Sequence, residues 1–196
     1  MKALTNKYLF MLLPMVVMSW GLSAQTNHTL SPGAEFSVSG TSSLHDWTMT
    51  SSEGKGEAVI TAEAKALQSI EQLSVTMKAE SLKSGKSGMD GNAYKALKTG
   101  KNPDIKFNLK NVKSIEKKGD YYQVMAEGTL TIAGESRTVD VVTKAYPNGN
   151  TIRFTGSKTF NMTDFKVDPP TALLGTIKTG DEITINFSLT FKSKQS

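Results

Sequence analysis

His45, Asp46 and Trp47 stand side by side in a stretch of serine, threonine and glycine, and their side chains could do chemistry. An imidazole beside a carboxylate could act as a general base, and an imidazole could also hold a metal ion. A large indole at the same place could instead close one end of a barrel. The segment is therefore a catalytic pair, a metal ligand or a structural plug, and the rest of the chain decides between them.

The remaining sequence favours the structural plug. Adjacent residues of a strand point to opposite faces, so His45 and Asp46 are poorly placed to bond to each other. No Gly-x-Ser-x-Gly motif supplies a serine nucleophile, and the absence of cysteine excludes a cysteine nucleophile. His28 and His45 are too few for a metal site built on histidines. We therefore expect a protein without catalytic residues, metal or cofactor.

The opening residues 1–24 are typical of a secretory signal peptide. Lys2 and Lys7 precede an apolar run over 8–18, which is shorter than the ~20 residues that a membrane-spanning helix needs. We therefore predict export to the periplasm without a stable membrane anchor. The remaining residues 25–196 have a length that fits one domain with a sizeable core.

The charge of the chain is mild. Its formal net charge is +5, and the signal peptide contributes two lysines and no acids to it. Lysine and arginine do not form a block interleaved with aromatic residues. Nucleic acid is therefore not an expected partner.

Apolar and polar residues alternate with a period of two through most of the chain, which predicts β-strands. Glu182–Phe191 shows the pattern most clearly, and Tyr122–Ile132 follows it except at Met125, which we predict to face outward. Asn148-Gly149 and other glycine-containing turns separate the strands. Short turns between successive strands favour an antiparallel meander of eight or nine strands that closes on itself or forms a sandwich.

Two places depart from this alternation. The apolar positions are even-numbered at Phe36 and Val38 but odd-numbered at Trp47, which predicts a bend or bulge over 40–43 with His45 directed inward. The second place is a segment predicted to form a flexible loop followed by a short helix.

The predicted loop covers residues 84–91, and the helix covers Asn92–Lys98. Asp90 or Asn92 would cap the start of this helix, and Gly100 would end it.

The order of these features resembles the YceI-like family, which comprises exported, lipocalin-like barrels associated with polyisoprenoid binding. The matching stretches are Glu35–Val38, His45–Trp47, Val75–Leu82, Met89–Leu97, Asn102–Phe107, Gly128–Val139, Met162–Phe165 and the final apolar strand. The sequence departs from the family pattern at Leu44–Trp47 and at Met89–Asn92. The resemblance implies an all-β fold, an eight-stranded antiparallel barrel with one short helix.

The resemblance also implies that the barrel holds a long apolar ligand, such as an isoprenoid, a quinone or a fatty-acid-like molecule. The candidate wall residues are Phe36, Val38, Trp47, Val75, Met77, Phe107, Val124, Leu130, Phe154, Met162, Phe165 and Phe187. The candidate rim residues are Met89, Tyr94, Leu97, Leu173 and Leu174. Arg137, Lys95 and Lys98 are candidates for contact with a polar head group.

The expected function is that of a non-enzymatic carrier or store of this small molecule. Two alternatives stay open at this point: an enzyme that acts on a lipid-like substrate with His45 as base, and a solid-cored barrel that only binds another protein. Whether the protein forms a homodimer also stays open at this point.

Overall fold

The computed structural model describes residues 25–63 and 65–194, except for the side chain of Leu173. The predicted signal peptide, residues 1–24, lies outside the described residues. Within this part the strands are β1 (Thr26–Leu30), β2 (Glu35–Ser42), β3 (Trp47–Ser51), β4 (Lys55–Glu63), β5 (Ala66–Lys78), β6 (Asp104–Lys118), β7 (Tyr121–Ile132), β8 (Glu135–Asn148), β9 (Thr151–Asn161), β10 (Thr171–Ala172) and β11 (Ile177–Ser193). The helix α1 covers Ser87–Leu97, and short 3₁₀ turns cover Ala79–Ser81, Met162–Phe165 and Leu173–Gly175.

Eight antiparallel strands form a closed ring in the order β1, β4, β5, β6, β7, β8, β9 and β11, and β11 returns to β1. The long strand β11 pairs with β1 near its carboxyl end, where Phe191 lies opposite Leu30. Its other half pairs with β2, which continues into β3. The predicted eight-stranded antiparallel barrel with one short helix is thus confirmed.

The period of two in the sequence separates the inner and outer faces of the barrel. In β11, Ile183, Leu189 and Phe191 are buried, whereas Glu182 and Asn186 are exposed. Met125 is exposed on β7, as its break in the alternation predicts.

One end of the barrel is filled by its own side chains. Ile60, Val124, Ile152, Phe154 and Phe191 belong to one buried cluster, and all of them are almost fully excluded from water. Burial of each such side chain stabilises the fold by roughly 1.5–3 kcal/mol. This end is therefore the closed base of the barrel.

The change of parity between Phe36 and Trp47 has a different cause from the predicted bulge. Strands β2 and β3 form a hairpin in which Val38 lies opposite Met49 and Gly40 lies opposite Trp47. Cross-strand partners share a face, so even positions of β2 and odd positions of β3 both face inward. The reversal of the chain therefore accounts for the change of parity. The predicted irregularity over 40–43 is nevertheless present, because the register of β2 with β11 shifts between Gly40 and Ser42.

The helix begins earlier than predicted. It starts at Ser87, so most of the predicted flexible loop 84–91 is helical, and its N-cap position is Lys86. Asp90 does not cap the helix; its Oδ1 accepts hydrogen bonds from the backbone N–H of Ser84 at 2.8 Å and from the Ser84 hydroxyl at 2.6 Å. These bonds tie the preceding segment to the first turn and favour helix where local preference favours a loop.

The C-terminal end of the helix also differs from the prediction. Lys98 occupies the C-cap with φ 53°, in the left-handed region, and its N–H donates to the carbonyls of Lys95 and Tyr94. Gly100 therefore does not end the helix. No helix of the described residues is long and apolar enough to cross a membrane.

Candidate ligand-binding site

An open chamber of about 880 Å³ occupies the end of the barrel opposite the filled base. We call it the upper chamber. Helix α1 covers it from one side through Met89, Ala93 and Leu97, and the hairpin β2–β3 borders it with Trp47. Its wall is mostly aliphatic and aromatic, which is typical of sites for apolar small molecules.

A second chamber, of about 160 Å³, lies between the upper chamber and the base; we call it the lower chamber. Its walls come from seven strands of the barrel and are lined almost wholly by apolar side chains. Val38, Ile105 and Ile185 line both chambers, so the two spaces adjoin at these side chains. A ligand in the upper chamber can therefore extend its tail toward the base.

Aromatic rings inside the barrel lie against glycines of neighbouring strands. A Cβ built on Gly156 would stand 2.7 Å from the ring of Phe187, and one built on Gly40 would stand 2.6 Å from the ring of Trp47. Phe107 lies against Gly128 in the same way. Because glycine has no Cβ, each ring can lie close to the wall, and the centre of the barrel stays open.

Trp47 is fixed at the upper chamber by a hydrogen bond. Its indole Nε1 donates a hydrogen bond to the carbonyl oxygen of Thr41 at 2.9 Å, and Thr41 lies in β2, the partner strand of the hairpin. The rest of the ring lines the chamber. The indole thus combines a fixed polar contact with an apolar face toward the ligand space.

His45 lies in the hairpin turn, exposed to water at the edge of the upper chamber. Its Nδ1 lies 2.7 Å from the carbonyl oxygen of Asp46, so this nitrogen carries the proton and donates it. The ring therefore bonds to the backbone of Asp46 and not to its carboxylate. Among the described residues no group of three or more His, Cys, Asp or Glu side chains could hold a metal ion.

The segment that leads into α1 is held by polar contacts. The Tyr94 hydroxyl donates to the carbonyl of Leu82 at 2.7 Å and accepts a hydrogen bond from Nζ of Lys83 at 2.7 Å. This hydrogen bond to Tyr94 raises the pKa of Lys83 above its usual value. The hydrogen bonds from Ser84 lower the pKa of the Asp90 carboxyl. Both pairs stabilise the position of the helix over the upper chamber.

The structure brings most of the predicted site residues together on the two chambers. The lower chamber is lined by Phe36, Val38, Val75, Met77, Phe107, Val124, Leu130, Phe154 and Phe187. The upper chamber is lined by Val38, Trp47, Met89, Leu97, Met162, Phe165 and Leu174. Tyr94 is not among the lining residues, because its hydroxyl is turned to the Leu82 carbonyl, and the side chain of Leu173 is outside the described part.

Several residues that line the chambers were not among the site residues predicted from the sequence. Ile105, Ile183 and Ile185 line the upper chamber from β6 and β11. They stand on the apolar faces of two clearly alternating segments, so the alternation contained the signal that could have found them. Lys158 also lines the lower chamber, on a strand whose other inward residues are Phe154, Gly156 and Phe160.

Comparisons with known structures support the fold. The polyisoprenoid-binding domain from Saccharophagus degradans, implicated in plant cell wall breakdown, has a TM-score of 0.66 and 10% identity over 87% of this chain and 100% of that chain. BcnA of Burkholderia cenocepacia has a TM-score of 0.62 and 20% identity over 80% and 95% of the two chains. The YceI protein of Campylobacter jejuni has a TM-score of 0.55 and 23% identity over 74% and 85%. At these identities the likeness concerns the fold alone.

The comparison with curated proteins returned no match. The model of the YceI-like domain, in contrast, matches residues 24–191, which is most of the chain. The motifs, the closed ring of eight strands and this match agree, and the chain belongs to the family of proteins with a YceI-like domain.

Proposed function

We propose that this protein is a non-enzymatic carrier or store of a long-chain apolar molecule, such as an isoprenoid, a quinone or a fatty-acid-like lipid. The observation that carries the proposal is a pair of adjoining apolar spaces: the upper chamber of about 880 Å³, which opens to solvent at the mouth of the barrel, and the lower chamber of about 160 Å³ inside the barrel. A solid-cored barrel of this size would fill that space with its own side chains, as the base of this barrel does.

The energetics favour such a ligand without any catalytic group. A large apolar ligand gains only ~0.3 kcal/mol per heavy atom after the costs of binding. A tail of roughly 30 carbons would still gain about 9 kcal/mol, which corresponds to a dissociation constant below micromolar. The related domain of Saccharophagus degradans is described as polyisoprenoid-binding, which supports the same class of ligand here.

The experiment that tests the proposal is native mass spectrometry of protein purified from its own host, followed by organic extraction and identification of any bound lipid. A companion measurement titrates geranylgeraniol and palmitic acid while following the fluorescence of Trp47, the single tryptophan of residues 25–196. We expect a bound lipid and a saturable change in fluorescence. Protein that carries no lipid from its host and responds to neither probe would contradict the proposal.

We also propose that the protein acts in the periplasm after removal of residues 1–24. The support is the charged and apolar order of this segment in the sequence. Fractionation of host cells and N-terminal sequencing of the purified protein test it. A homodimer stays a prediction, which light scattering of the purified protein would check.

A further inference from the structure

Strands β8 and β9 separate on one side of the barrel. Their pairing runs from Asn148 opposite Thr151 to Thr143 opposite Gly156, and in the described part of the chain it goes no further. Residues 135–142 remain paired with β7, and residues 157–161 remain paired with β11. We call the divergence between 137–142 and 157–161 the lateral seam.

The upper edge of the lateral seam is fixed by polar contacts. Nε of Arg137 donates to the carbonyl oxygen of Asp164 at 2.8 Å, and Nζ of Lys166 lies 2.9 Å from the Glu135 carboxylate. These bonds join the start of β8 to the 3₁₀ turn that follows β9. They also engage Arg137, which the sequence offered as a candidate for a ligand head group.

Lys158 stands at the lateral seam on the inner face of β9. It lies opposite Ile185, whose side chain lines both chambers, and Lys158 itself lines the lower chamber together with Val139 and Val141. The lysine is only partly exposed. A lysine stem can lie along an apolar wall while its ammonium stays in water, which fits a partly exposed lysine at this place.

Lys158 also has no carboxylate or other hydrogen-bond partner among the described residues. Other lysines of the barrel wall do have one: Lys113, for example, lies 2.5 Å from the Asp140 carboxylate. An ammonium partly sheltered by apolar walls loses hydration, and an anionic group from a ligand would compensate for this loss.

We propose that Lys158 binds the anionic head group, a phosphate or a carboxylate, of a single-chain lipid whose tail lies in the chambers. This inference rests on the proposed carrier function and adds to it the chemical class of the ligand. The head group lies at the lateral seam, where water still reaches it, and the tail follows the apolar wall past Ile185. A neutral alcohol with the same tail fits the same space but lacks the charge contact.

The test compares probes that share a tail and differ in the head group. Geranylgeranyl phosphate is measured against geranylgeraniol, and palmitic acid against hexadecanol, with Trp47 fluorescence as the readout. The unsubstituted protein should bind each anionic probe at least about tenfold more tightly than its alcohol. Salt should reduce this preference, because ions screen a charge contact that solvent reaches. Comparison of the phosphate pair with the carboxylate pair shows which head group is preferred.

Lys158→Met should abolish the preference for the anionic probes over the matched alcohols. Lys158→Arg should keep the preference. The matched control is Lys192→Met, which removes the same charge from an exposed outer position of β11. If Lys158→Met does not fold, Lys158→Gln and the salt dependence of the unsubstituted protein provide the same comparison.

The outcomes separate the two proposals. Alcohols and anions bound equally by the unsubstituted protein would overturn the role of Lys158 but leave the carrier function standing. An equal loss of both probe classes in Lys158→Met would assign Lys158 to the wall and also overturn its role as a head-group ligand. Failure of every probe to bind the unsubstituted protein would contradict the carrier function itself.

Discussion

His45, at the edge of the upper chamber, could act as a catalytic base or could only stabilise the hairpin turn. Its Nδ1 donates to the backbone of Asp46, and the ring is exposed to solvent. This hydrogen bond stabilises the turn and involves no proton transfer to a ligand, so we expect a structural role for His45.

We predict that His45→Ala leaves lipid binding unchanged within about twofold, because the ring is exposed to water at the edge of the upper chamber and a carrier needs no base. Fluorescence titration with geranylgeraniol measures the effect. Release of a chemically altered lipid by the unsubstituted protein, lost in His45→Ala, would instead establish an enzyme.

Asp90 provides a test of the contact that extends the helix. Hydrogen bonds from Ser84 lower the pKa of its carboxyl, so the folded state favours the charged form. A lowered pKa in the folded state stabilises the protein above the usual Asp pKa of about 3.9, and this contribution is lost as the pH falls through the lower folded value.

Asp90→Asn is therefore expected to destabilise the protein at neutral pH and to have little effect in strong acid. Thermal unfolding of both proteins across this pH range measures the difference. Asp120→Asn, in the turn between β6 and β7, is the control for loss of one charge. A difference in stability between Asp90→Asn and the unsubstituted protein that does not depend on pH would contradict the argument.

At the scale of elements, the C-terminal end of α1 carries a local cost. Lys98 has φ 53°, a conformation that disfavours residues with a Cβ. Lys98→Gly should remove this cost and raise the free energy of unfolding by about 0.5–1 kcal/mol.

The control Lys98→Ala removes the same charged side chain but keeps the Cβ, so it should not stabilise the protein. Urea unfolding followed by Trp47 fluorescence measures both variants. Equal stability of the glycine and alanine variants would show that the backbone conformation costs nothing here.

We expect the contact between Gly156 of β9 and the ring of Phe187 of β11 to set the width of the lower chamber. A Cβ at position 156 would stand 2.7 Å from the Phe187 ring and 3.0 Å from the carbonyl oxygen of Val142. Gly156→Ala should therefore displace the ring into the chamber, at a cost of about 1–3 kcal/mol in stability. Binding of geranylgeraniol should weaken more than binding of the shorter geraniol.

Gly91→Ala is the matched control, because a Cβ there meets nothing within 4 Å. Addition of Phe187→Leu to Gly156→Ala should restore binding of the long probe by removing the displaced ring. Unchanged affinity of Gly156→Ala for geranylgeraniol would show that this glycine does not set the width.

At the scale of the whole molecule, the capacity of the barrel depends on the continuity of its two chambers. Val38 stands where they adjoin. Val38→Phe should fill this boundary and weaken binding of geranylgeraniol more than of geraniol, since only the longer tail has to pass it.

Val142→Phe makes the same change on the outer face of β8, where the side chain is half exposed, and should leave both affinities unchanged. Titration of both probes against both variants measures the effect. Equal behaviour of the two variants would mean that ligands do not cross the boundary.

The sequence by itself determined the antiparallel strands and which of their faces is apolar. Alternation with a period of two follows directly from strand geometry, so Ile183, Phe187 and Leu189 could be assigned to one face without any knowledge of the fold. The motifs also identified the family. The loop predicted from local preference at residues 84–91 was wrong, because the hydrogen bonds between Ser84 and Asp90 stabilise the helix despite the glycines of this segment.

Only the tertiary structure decided where strands part and which spaces stay empty. Lys158 interrupts the apolar face of β9 in the sequence, but its place at the lateral seam depends on the pairing of β8 and β9, which ends at Thr143 and Gly156. Likewise, the open centre depends on rings packed against glycines of other strands. Both features arise from contacts between residues far apart in the chain, and no local pattern encodes them.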